Sequence, residues 1–396
     1  MRMELITFGA CLLLSSSVLA EAPGTTFHIK ASELPKPFAT PAAGNSPHAV
    51  PRPNGALPQV PKGFSVSLYA SGLSHPRFMA LAPNGDVFLS EPDAGKITIL
   101  HDGKASIFAS GSFNKPHGLA FHNGALYVCD LTAVWKLGYK DGALQESGPR
   151  TRITRDGFGP LGGHFSRDIA FDQSETLYVA IGSMSNIDEE KPPRATVQKV
   201  DANGHLSTFV SGTRNPVGLF LKPGTNDLYI TVNERDGYGD GLVPDYFTRI
   251  SHGDFYGWPY AYTGPHADPT YGAKRPDLVA KAKTGDVLFE SHSAPLGFAF
   301  YDGKQFPAEY TGDAFVALHG SWNSGKPTGY KVVRVKFTNG RPTGEYQDFL
   351  TGFWDGSSSP AKVWGRPVGV LVAKDGSLLI SDDAGKAIWR VAYTGK

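Results

Sequence analysis

The sequence is poor in cysteine and in excess charge, and it has no long hydrophobic run after residue 20. Only 2 of its 396 residues are cysteines, which excludes a small scaffold held together by disulfides. The formal net charge is +1, so we expect neither a nucleic-acid partner nor an acidic interaction tail. Without an apolar stretch of roughly 18 residues, no stable membrane span is predicted.

Several enzyme classes are excluded because their short motifs are missing. The sequence contains no Walker loop, no dinucleotide-binding glycine fingerprint, no HExxH motif, no nucleophile elbow and no paired-cysteine zinc site.

Residues 1–20 have the pattern of a secretory signal peptide. Arg2 precedes an apolar run from Leu5 to Leu14, and Val18-Leu19-Ala20 offers small residues for cleavage. A lipoprotein cleavage before Cys11 fits less well, because hardly any apolar run precedes that cysteine. The pattern predicts a periplasmic or secreted protein. Removal of this segment would leave Cys129 alone, and we expect it to be a buried structural thiol.

One short phrase recurs six times in the rest of the chain. Each copy has one or two polar residues, an alternating apolar run, a turn rich in Gly or Asx, and a second alternating run. The six first runs are Phe78–Leu81, Gly118–Phe121, Ile169–Phe171, Gly218–Leu221, Gly297–Phe300 and Gly369–Val372. The six second runs are predicted to be strands at 86–90, 125–129, 176–181, 227–232, 313–318 and 377–381. A repeat of roughly 40–50 residues with a strand pair in each unit predicts an all-β fold, the six-bladed β-propeller.

The ends of the repeat indicate how the ring closes. The last unit stops after 387–393 and lacks the outer strand of the other units, whereas such a strand precedes the first unit at 64–70. We therefore expect this N-terminal strand to complete the last blade and remove an open edge. The propeller domain is assigned to residues 63–396. Residues 21–62 are rich in Pro and small polar residues and are predicted to form an extended arm, free or laid along the propeller.

The hairpin in each unit places two sets of polar residues on one face. The start of its first strand and the end of its second lie at the same end, so residues just outside them surround the central channel. The first set is Arg77, His117, His164, Arg167, Arg214, Asn215, His292 and Arg366. The second set is Glu91, Asp130, Ser183, Asn233, Glu234, His319, Asp382 and Asp383.

Three features of this face could carry chemistry. His164 lies beside Gly162-Gly163 and is either a general base or a histidine bonded within a rim loop. Arg77, Arg214-Asn215, Arg366 and Lys326 supply cationic and amide donors, which as a cluster favour a polyanionic ligand, whereas a single arginine more often forms a salt bridge between blades. The loop 233–240 is either a hard-cation site built from backbone carbonyls and Asp236 or a solvated loop, since it lacks the Glu of an EF-hand.

Several segments together resemble the glucose/sorbosone dehydrogenase family of quinoproteins, which carry pyrroloquinoline quinone (PQQ) on a six-bladed propeller. They read GGHFSRDIAF, GTRNPVGL, TVNERDGYGDGLVPDY, GDFYGWPY, APLGFAFYDG, ALHGSWNSGKPTGYKVV and WGRPVGVLVAKDGSLLISDDAGKAIWRV. Their order and spacing are more specific than any one of them, and they extend from about Gly63 to Tyr393. The sorbosone dehydrogenase-like branch is the more similar one.

The resemblance implies a function and assigns roles to residues. It implies a PQQ-dependent oxidoreductase that oxidises a sugar or an aldehyde-like sugar and transfers hydride to the quinone. His164 would be the base, and backbone oxygens of Arg235, Asp236 and Gly237 would hold Ca²⁺. Arg214, Asn215 and Arg366 would hold the PQQ carboxylates; their neighbours on the rim, Arg77, His117 and Lys326, are further candidates. A periplasmic quinone or cytochrome would accept the electrons.

The sequence departs from the soluble glucose dehydrogenases of this family at three positions. Ser183 stands where they have an Asp that orients the base, Asp236-Gly237 replaces a Gly-Pro pair, and Val368 stands where they have a second Arg. Two other functions stay open: a propeller that binds a sugar or a protein without redox chemistry, and a calcium-dependent lactonase. The lactonase would need carboxylates at the channel, with Glu91, Asp130 and Asp383 as candidates.

Overall fold

The computed structural model describes residues 22–395, which form an almost entirely β structure of six antiparallel blades. The predicted signal segment lies outside these residues. Blade 1 contains Met79–Leu81, Val87–Glu91, Lys96–His101 and Lys104–Ser110. Blade 2 contains Leu119–His122, Ala125–Cys129, Val134–Gly138 and Ser147–Arg152. Blade 3 contains Arg167–Phe171, Leu177–Ile181, Thr196–Val200 and Leu206–Ser211.

The second half of the ring repeats this order, with two strands donated by the N-terminal part of the chain. Blade 4 contains Asn215–Leu221, Leu228–Asn233, Tyr246–Ile250 and Val287–Leu288. Blade 5 contains Pro295–Phe300, Ala314–Leu318, Lys331–Thr338, Arg341–Leu350 and, at its outer edge, Thr26–Phe27. Blade 6 contains Pro367–Val372, Leu378–Asp382, Ala387–Tyr393 and Phe64–Ser71. The predicted six-bladed propeller is thus confirmed, and the second strands lie within one residue of their predicted bounds.

Short elements fill the connections. Two small strand pairs are Ala261–Tyr262 with His266–Ala267 and His48–Ala49 with Lys362–Val363. The helical elements are Ala31–Glu33, Pro92–Ala94, Gly272–Lys274, Ala308–Tyr310 and Pro276–Val279, the last an α-helix and the others 3₁₀ turns. Within residues 22–395, no helix combines the length and the hydrophobicity needed to cross a lipid bilayer.

The ring closes as predicted. Phe64–Ser71 pairs antiparallel with Ala387–Tyr393, with Phe64 opposite Tyr393 and Ser71 opposite Ala387. The Phe64 ring also packs edge-on against Phe306 and Phe349, at centroid distances of 4.7 and 5.1 Å. The closing strand is therefore held by backbone pairing to blade 6 and by aromatic packing on blade 5.

The glycines of the repeated phrase lie where neighbouring blades approach most closely. A Cβ added to one of them would meet a backbone carbonyl oxygen of the following blade. The distances are 2.6 Å for Gly118 and Gly218, 2.8 Å for Gly297 and 2.7 Å for Gly369. Gly369 of blade 6 faces the carbonyl of Arg77 at the start of blade 1, so the same contact is made across the closure. The repeated glycine is thus a steric requirement of the ring.

An apolar plug fills the axis beneath the polar face. Phe78, Val217, Leu296 and Val368 form one buried cluster although they come from four different blades. Each lies at or next to the start of a first strand, where the strands converge. The plug gives a cavity above it a closed floor. Cys129 is fully buried at the end of its strand, as predicted.

The N-terminal arm is laid along the propeller. Thr26–Phe27 pairs with the outer strand of blade 5, and the Phe27 ring stacks on Tyr346 at 4.9 Å. Farther along, the Asn45 amide donates to the Trp322 carbonyl at 2.7 Å, and His48–Ala49 runs parallel to Lys362–Val363. Of the two predicted arrangements of this segment, the structure has the packed one.

Candidate active site

A cavity of about 620 Å³ lies on the polar face of the ring. Both predicted sets of rim residues contribute to its wall, because the starts of first strands and the ends of second strands meet there. The wall includes His75, Arg77, His164, Phe165, Asn215, His319, Trp322, Arg366 and Asp383. We refer to this space as the central cavity. Its volume lies within the usual range for small-molecule and cofactor sites.

His164 is held in one tautomer by Ser183. Its Nδ1 lies 2.9 Å from the Ser183 carbonyl oxygen and 3.0 Å from the Ser183 hydroxyl. A carbonyl oxygen can only accept a hydrogen bond, so Nδ1 carries the proton and Nε2 has a free lone pair. Nε2 has no hydrogen-bond partner in the described part of the chain, and His164 lines the central cavity.

The imidazole is neutral at neutral pH. Burial, followed by the positive charge of Arg214, lowers the pKa of His164 to about 4. The Ser183 hydroxyl donates to the Ser185 carbonyl at 2.6 Å, so it is a neutral, fixed partner rather than a carboxylate. The hydrogen bond with Ser183 and the negative charge of Asp236 raise the pKa of His164, but burial and Arg214 outweigh them. His164 can therefore accept a proton from a ligand at Nε2.

The opposite wall contains a carboxylate surrounded by basic groups. Asp383 is 3% exposed and lies 2.6 Å from Arg77 Nη1, 3.2 Å from His75 Nε2 and 3.0 Å from His319 Nε2. Burial alone would raise the pKa of Asp383, but the hydrogen bonds from His319 and His75 and the charge of Arg77 hold it well below its ordinary value. Burial and the charge of Arg366 lower the pKa of His319 to about 4, so it donates as a neutral imidazole.

The cavity wall retains polar atoms without protein partners. Arg77 Nε and Asn215 Oδ1 are buried and make no hydrogen bond within residues 22–395. Arg366 donates from Nε and Nη2 to the carbonyls of His319 and Gly320, at 3.0 and 2.9 Å. These two hydrogen bonds fix the position of its guanidinium group at the cavity wall. Buried polar atoms are normally paired, so these groups are available to a polar ligand or to water.

These residues fit PQQ, a flat polycarboxylate. Arg77 and Arg366 supply guanidinium groups for carboxylates, Asn215 supplies an amide, and Phe165 and Trp322 supply flat apolar surfaces. The site thus has the donor set and the volume that such a cofactor requires.

Arg214 is placed differently from the prediction. Its side chain donates to the Asn186 carbonyl and side-chain oxygens, to the carbonyls of Asn233 and Glu234, and to Asp236 Oδ2. All five N–H groups of the guanidinium are engaged, so none remains for a cofactor carboxylate. Arg214 instead fixes the loop around Asp236, while its neighbour Asn215 reaches the cavity wall.

Two other candidate cofactor residues also lie away from the central cavity. His117 is fully buried beneath it, with its ring 4.5 Å from Phe78 and 6.0 Å from Phe165. Burial and the charge of Arg77 hold the pKa of His117 well below its ordinary value. Lys326 lines a separate pocket of about 300 Å³ between the arm and the loops of blades 4 and 5. The sequence could not distinguish these positions, because a place next to a strand end does not determine the direction in which the side chain points.

The predicted calcium loop does not present oxygen ligands to a cation. Asp236 Oδ1 accepts from Asn323 at 2.5 Å, Oδ2 accepts from Arg214 at 3.1 Å, and its carbonyl accepts from Asn186 at 3.0 Å. The Arg235 side chain turns to Asp268, 2.7 Å away. Calcium takes about 6–8 oxygen ligands. The oxygens of Asp236 therefore do not fit calcium in this arrangement, and the backbone oxygens of Arg235 and Gly237 alone are too few.

Metal-dependent alternatives gain no support from the carboxylates of the rim. Within residues 22–395, no group of three or more His, Cys, Asp or Glu has metal-binding geometry. Glu91 accepts from Thr98 and the Ser74 amide, and Asp130 accepts from its own turn and from Trp135. Of the three carboxylates considered for a lactonase, Asp383 is the one on the cavity wall.

Sequence reasoning missed parts of the site. His75 lines the cavity. It stands two residues before Arg77, ahead of the same first strand, but it was not among the predicted rim residues. Pro47 and Ala49 of the arm also line the wall. The histidine had a signal, since it precedes a repeated first strand, whereas the arm residues had none.

Comparison with known proteins agrees with this architecture. The family model described as Glucose / Sorbosone dehydrogenase matches residues 150–321, and a second model, described as TrAA12-like, matches residues 274–394. The PQQ domain of pyranose dehydrogenase from Coprinopsis cinerea, solved in its holo form, superposes with a TM-score of 0.71 at 20% identity. That superposition covers 88% of this chain and 99% of the other. The chain therefore shares the fold of that PQQ domain, and the resemblance to the glucose/sorbosone dehydrogenase family is confirmed.

Two relatives are similar in sequence. An uncharacterized protein of Borreliella burgdorferi is 29% identical over 353 residues, which cover 85% of this chain and 90% of that protein. The pyrroloquinoline quinone-dependent pyranose dehydrogenase of Coprinopsis cinerea is 25% identical over 332 residues, covering 70% of this chain and 44% of that protein. The branch of the family to which this chain is closest stays a prediction.

Proposed function

We propose that this protein is a PQQ-dependent oxidoreductase that oxidises a sugar, or an aldehyde-like sugar of the sorbosone type. PQQ, when bound, supplies the two-electron acceptor for the hydride that leaves the substrate carbon. The observation that carries the proposal is the free Nε2 of a neutral His164, held by Ser183 in a cavity that also contains two arginines.

The residues of this chain have separate tasks in that reaction. Arg77, Arg366 and Asn215 would hold the carboxylates of the cofactor. Nε2 of His164 takes the proton of the substrate hydroxyl as the carbon is oxidised, which is general-base catalysis. The plug beneath the cavity, which includes Phe78, closes the site on one side, so substrate enters from the polar face.

Location and partners belong to the same proposal. We infer a periplasmic or secreted enzyme that passes its electrons to a quinone or a cytochrome. Calcium is the second cofactor that the resemblance implies, and the reconstitution below includes it.

Reconstitution tests the proposed function. The purified protein would be titrated with PQQ, with calcium and separately with a chelator, and dye reduction would be followed across a panel of aldoses and sugar aldehydes. We expect stoichiometric PQQ uptake and sugar-dependent dye reduction. PQQ uptake without dye reduction would refute the catalytic role, and absence of uptake would favour a binding propeller without redox chemistry.

A further inference from the structure

Arg194 is a buried arginine whose charge forms no salt bridge within residues 22–395. It stands two residues before the strand Thr196–Val200 of blade 3 and is 3% exposed. Its Nε and Nη1 atoms make no hydrogen bond in the described part of the chain. The carboxylate that acts on its charge, Glu190, instead accepts the backbone N–H groups of Met184 and Ser185, each at 2.8 Å. A buried charge without a paired carboxylate destabilises a fold, so stability alone does not account for this arginine.

The two hydrogen bonds of Arg194 go to backbone carbonyls beside His164. Its Nη2 atom donates to the Gly162 carbonyl at 2.8 Å and to the Ser183 carbonyl at 2.9 Å. Gly162 stands two residues before His164, and the Ser183 carbonyl is the acceptor that places the ring proton of His164 on Nδ1. The same carbonyl accepts the backbone N–H of His164 at 3.0 Å. One guanidinium nitrogen therefore ties the loop 159–164, which carries the base, to the acceptor that orients the base.

The loop before His164 has a backbone that needs support. Gly162 and Gly163, the two residues that precede the base, both have positive φ, at 112° and 61°. Glycine loses more conformational freedom on ordering than any other residue, so a loop built from it is held in one shape only by its contacts. The apolar stem of Arg194 packs against Gly159, where an added Cβ would meet Cγ and Cδ of the arginine at 3.2 Å. Arg194 thus contacts the loop through its stem as well as through its guanidinium.

We propose that Arg194 is a positioning residue for the base, and that its two hydrogen bonds hold Nε2 of His164 in the direction of the central cavity. Arg194 is not part of the cavity wall, so it acts through His164 and not on a ligand. The proposal explains why a buried guanidinium stands here without a carboxylate, since its benefit is to the geometry of the site. The inference rests on the proposed function for the role of His164, but the tie itself can be measured without PQQ.

Three variants separate the tie from the general packing of this region. Arg194→Met removes the guanidinium and keeps an apolar stem; the Ser183 carbonyl retains both donors from His164, and Gly162 is exposed, so water can replace the lost bond there. Arg194→Lys keeps the charge, and because both hydrogen bonds come from Nη2, a single ammonium nitrogen can replace that donor. Arg155→Met is the matched control, since it removes an exposed arginine from the segment that leads into the loop.

Stability and turnover should change independently in these variants. We expect Arg194→Met to unfold in urea at the wild-type midpoint or above it, because an unpaired buried charge is removed. Its kcat in PQQ-dependent dye reduction should fall about tenfold, with KM and PQQ affinity within about twofold, since small misplacements of a reacting group are costly. The loss is partial because Arg167 Nη1 still donates to the His164 carbonyl at 2.7 Å. Arg194→Lys should recover most of kcat without a gain in stability, and Arg155→Met should match the wild type in both.

The tautomer of His164 gives a readout that requires neither cofactor nor substrate. In PQQ-free protein, the ¹⁵N chemical shifts of the labelled ring are assigned by comparison with His164→Ala. We expect the wild type and Arg194→Lys to show one tautomer, with the proton on Nδ1 as the contact with the Ser183 carbonyl requires. Arg194→Met should show both tautomers, because the ring is no longer held against that carbonyl. A change in overall stability would not alter this ratio.

The positioning role and the proposed function fail in distinguishable ways. If Arg194→Met keeps the wild-type kcat, or if its His164 ring keeps the single Nδ1–H tautomer, the positioning role is refuted even when sugars are oxidised. A lower unfolding midpoint for Arg194→Met would show that the guanidinium serves the stability of the fold, which also contradicts the proposal. If no sugar reduces the dye while Arg194→Met mixes the tautomers, the tie stands and the redox function falls.

Discussion

At the scale of single residues, the site depends on how His164 is oriented. Its partner is the neutral Ser183 rather than a carboxylate, and burial keeps the imidazole uncharged. Because the pKa of His164 is lowered to about 4, the imidazole is neutral and can accept a proton at any pH well above that value.

Replacing His164 tests its role as the base. We expect His164→Ala to leave PQQ binding nearly unchanged and to lower turnover by about 10²–10⁴, the usual contribution of a general base. Dye reduction gives the turnover and calorimetry gives the PQQ affinity. A variant that keeps more than about a third of the wild-type turnover would contradict the assignment.

Replacing Ser183 tests the electrostatic argument. In Ser183→Asp the new carboxylate would favour the imidazolium, so the pKa of His164 should rise from about 4. Activity at acid pH requires the neutral base, so the acid limb of the pH–rate profile should move to higher pH. Ser183→Ala adds no charge and retains the backbone carbonyl, so its acid limb should stay in place. Coincident acid limbs in the Asp and Ala variants would be evidence against this account.

At the scale of elements, the repeated glycine sets the distance between blades. We expect Gly369→Ala to destabilise the fold by about 1–3 kcal/mol, the usual cost of overpacking, because its Cβ would meet the Arg77 carbonyl at 2.7 Å. Gly157→Ala is the matched control, since a Cβ there has no atom within 4 Å. Urea unfolding measures both variants. Equal stabilities would show that the blades can move apart at no cost.

The strands were predictable and the arm was not. The period-2 pattern and the Gly or Asx corners placed each second strand within one residue, because a buried hairpin tolerates little freedom in register. The arm pairs through only two residues at a time, at Thr26–Phe27 and at His48–Ala49, and such short pairings leave no pattern in the sequence. Similarly, the sequence could not show that Arg214 is fully engaged, because Asn186 and Asp236 reach it from other loops.

At the scale of the whole molecule, the N-terminal part of the chain has two separate roles. Its strand Phe64–Ser71 closes the ring, and the arm before that strand forms part of the wall of the central cavity. Deleting residues 22–60 should leave a cooperatively folded ring, because the closing strand Phe64–Ser71 remains. That deletion should also open the central cavity, where Pro47 and Ala49 form part of the wall. Deleting through residue 71 should expose the edge of Ala387–Tyr393 and cause aggregation. Light scattering and thermal unfolding would follow both deletions, and a well-folded monomer without Phe64–Ser71 would refute the closure.

The proposal that the cavity on the polar face holds PQQ can be tested by a calorimetric titration of the purified protein with PQQ. We expect one PQQ per chain, with affinity lowered roughly tenfold to a hundredfold in Arg366→Ala, since a charge-assisted hydrogen bond contributes about 1.5–3 kcal/mol. Lys326→Ala removes the same charge from a pocket outside the cavity and should bind PQQ like the wild type. If the wild type takes up no PQQ, or if Arg366→Ala binds it as tightly as Lys326→Ala does, the account of this cavity is wrong.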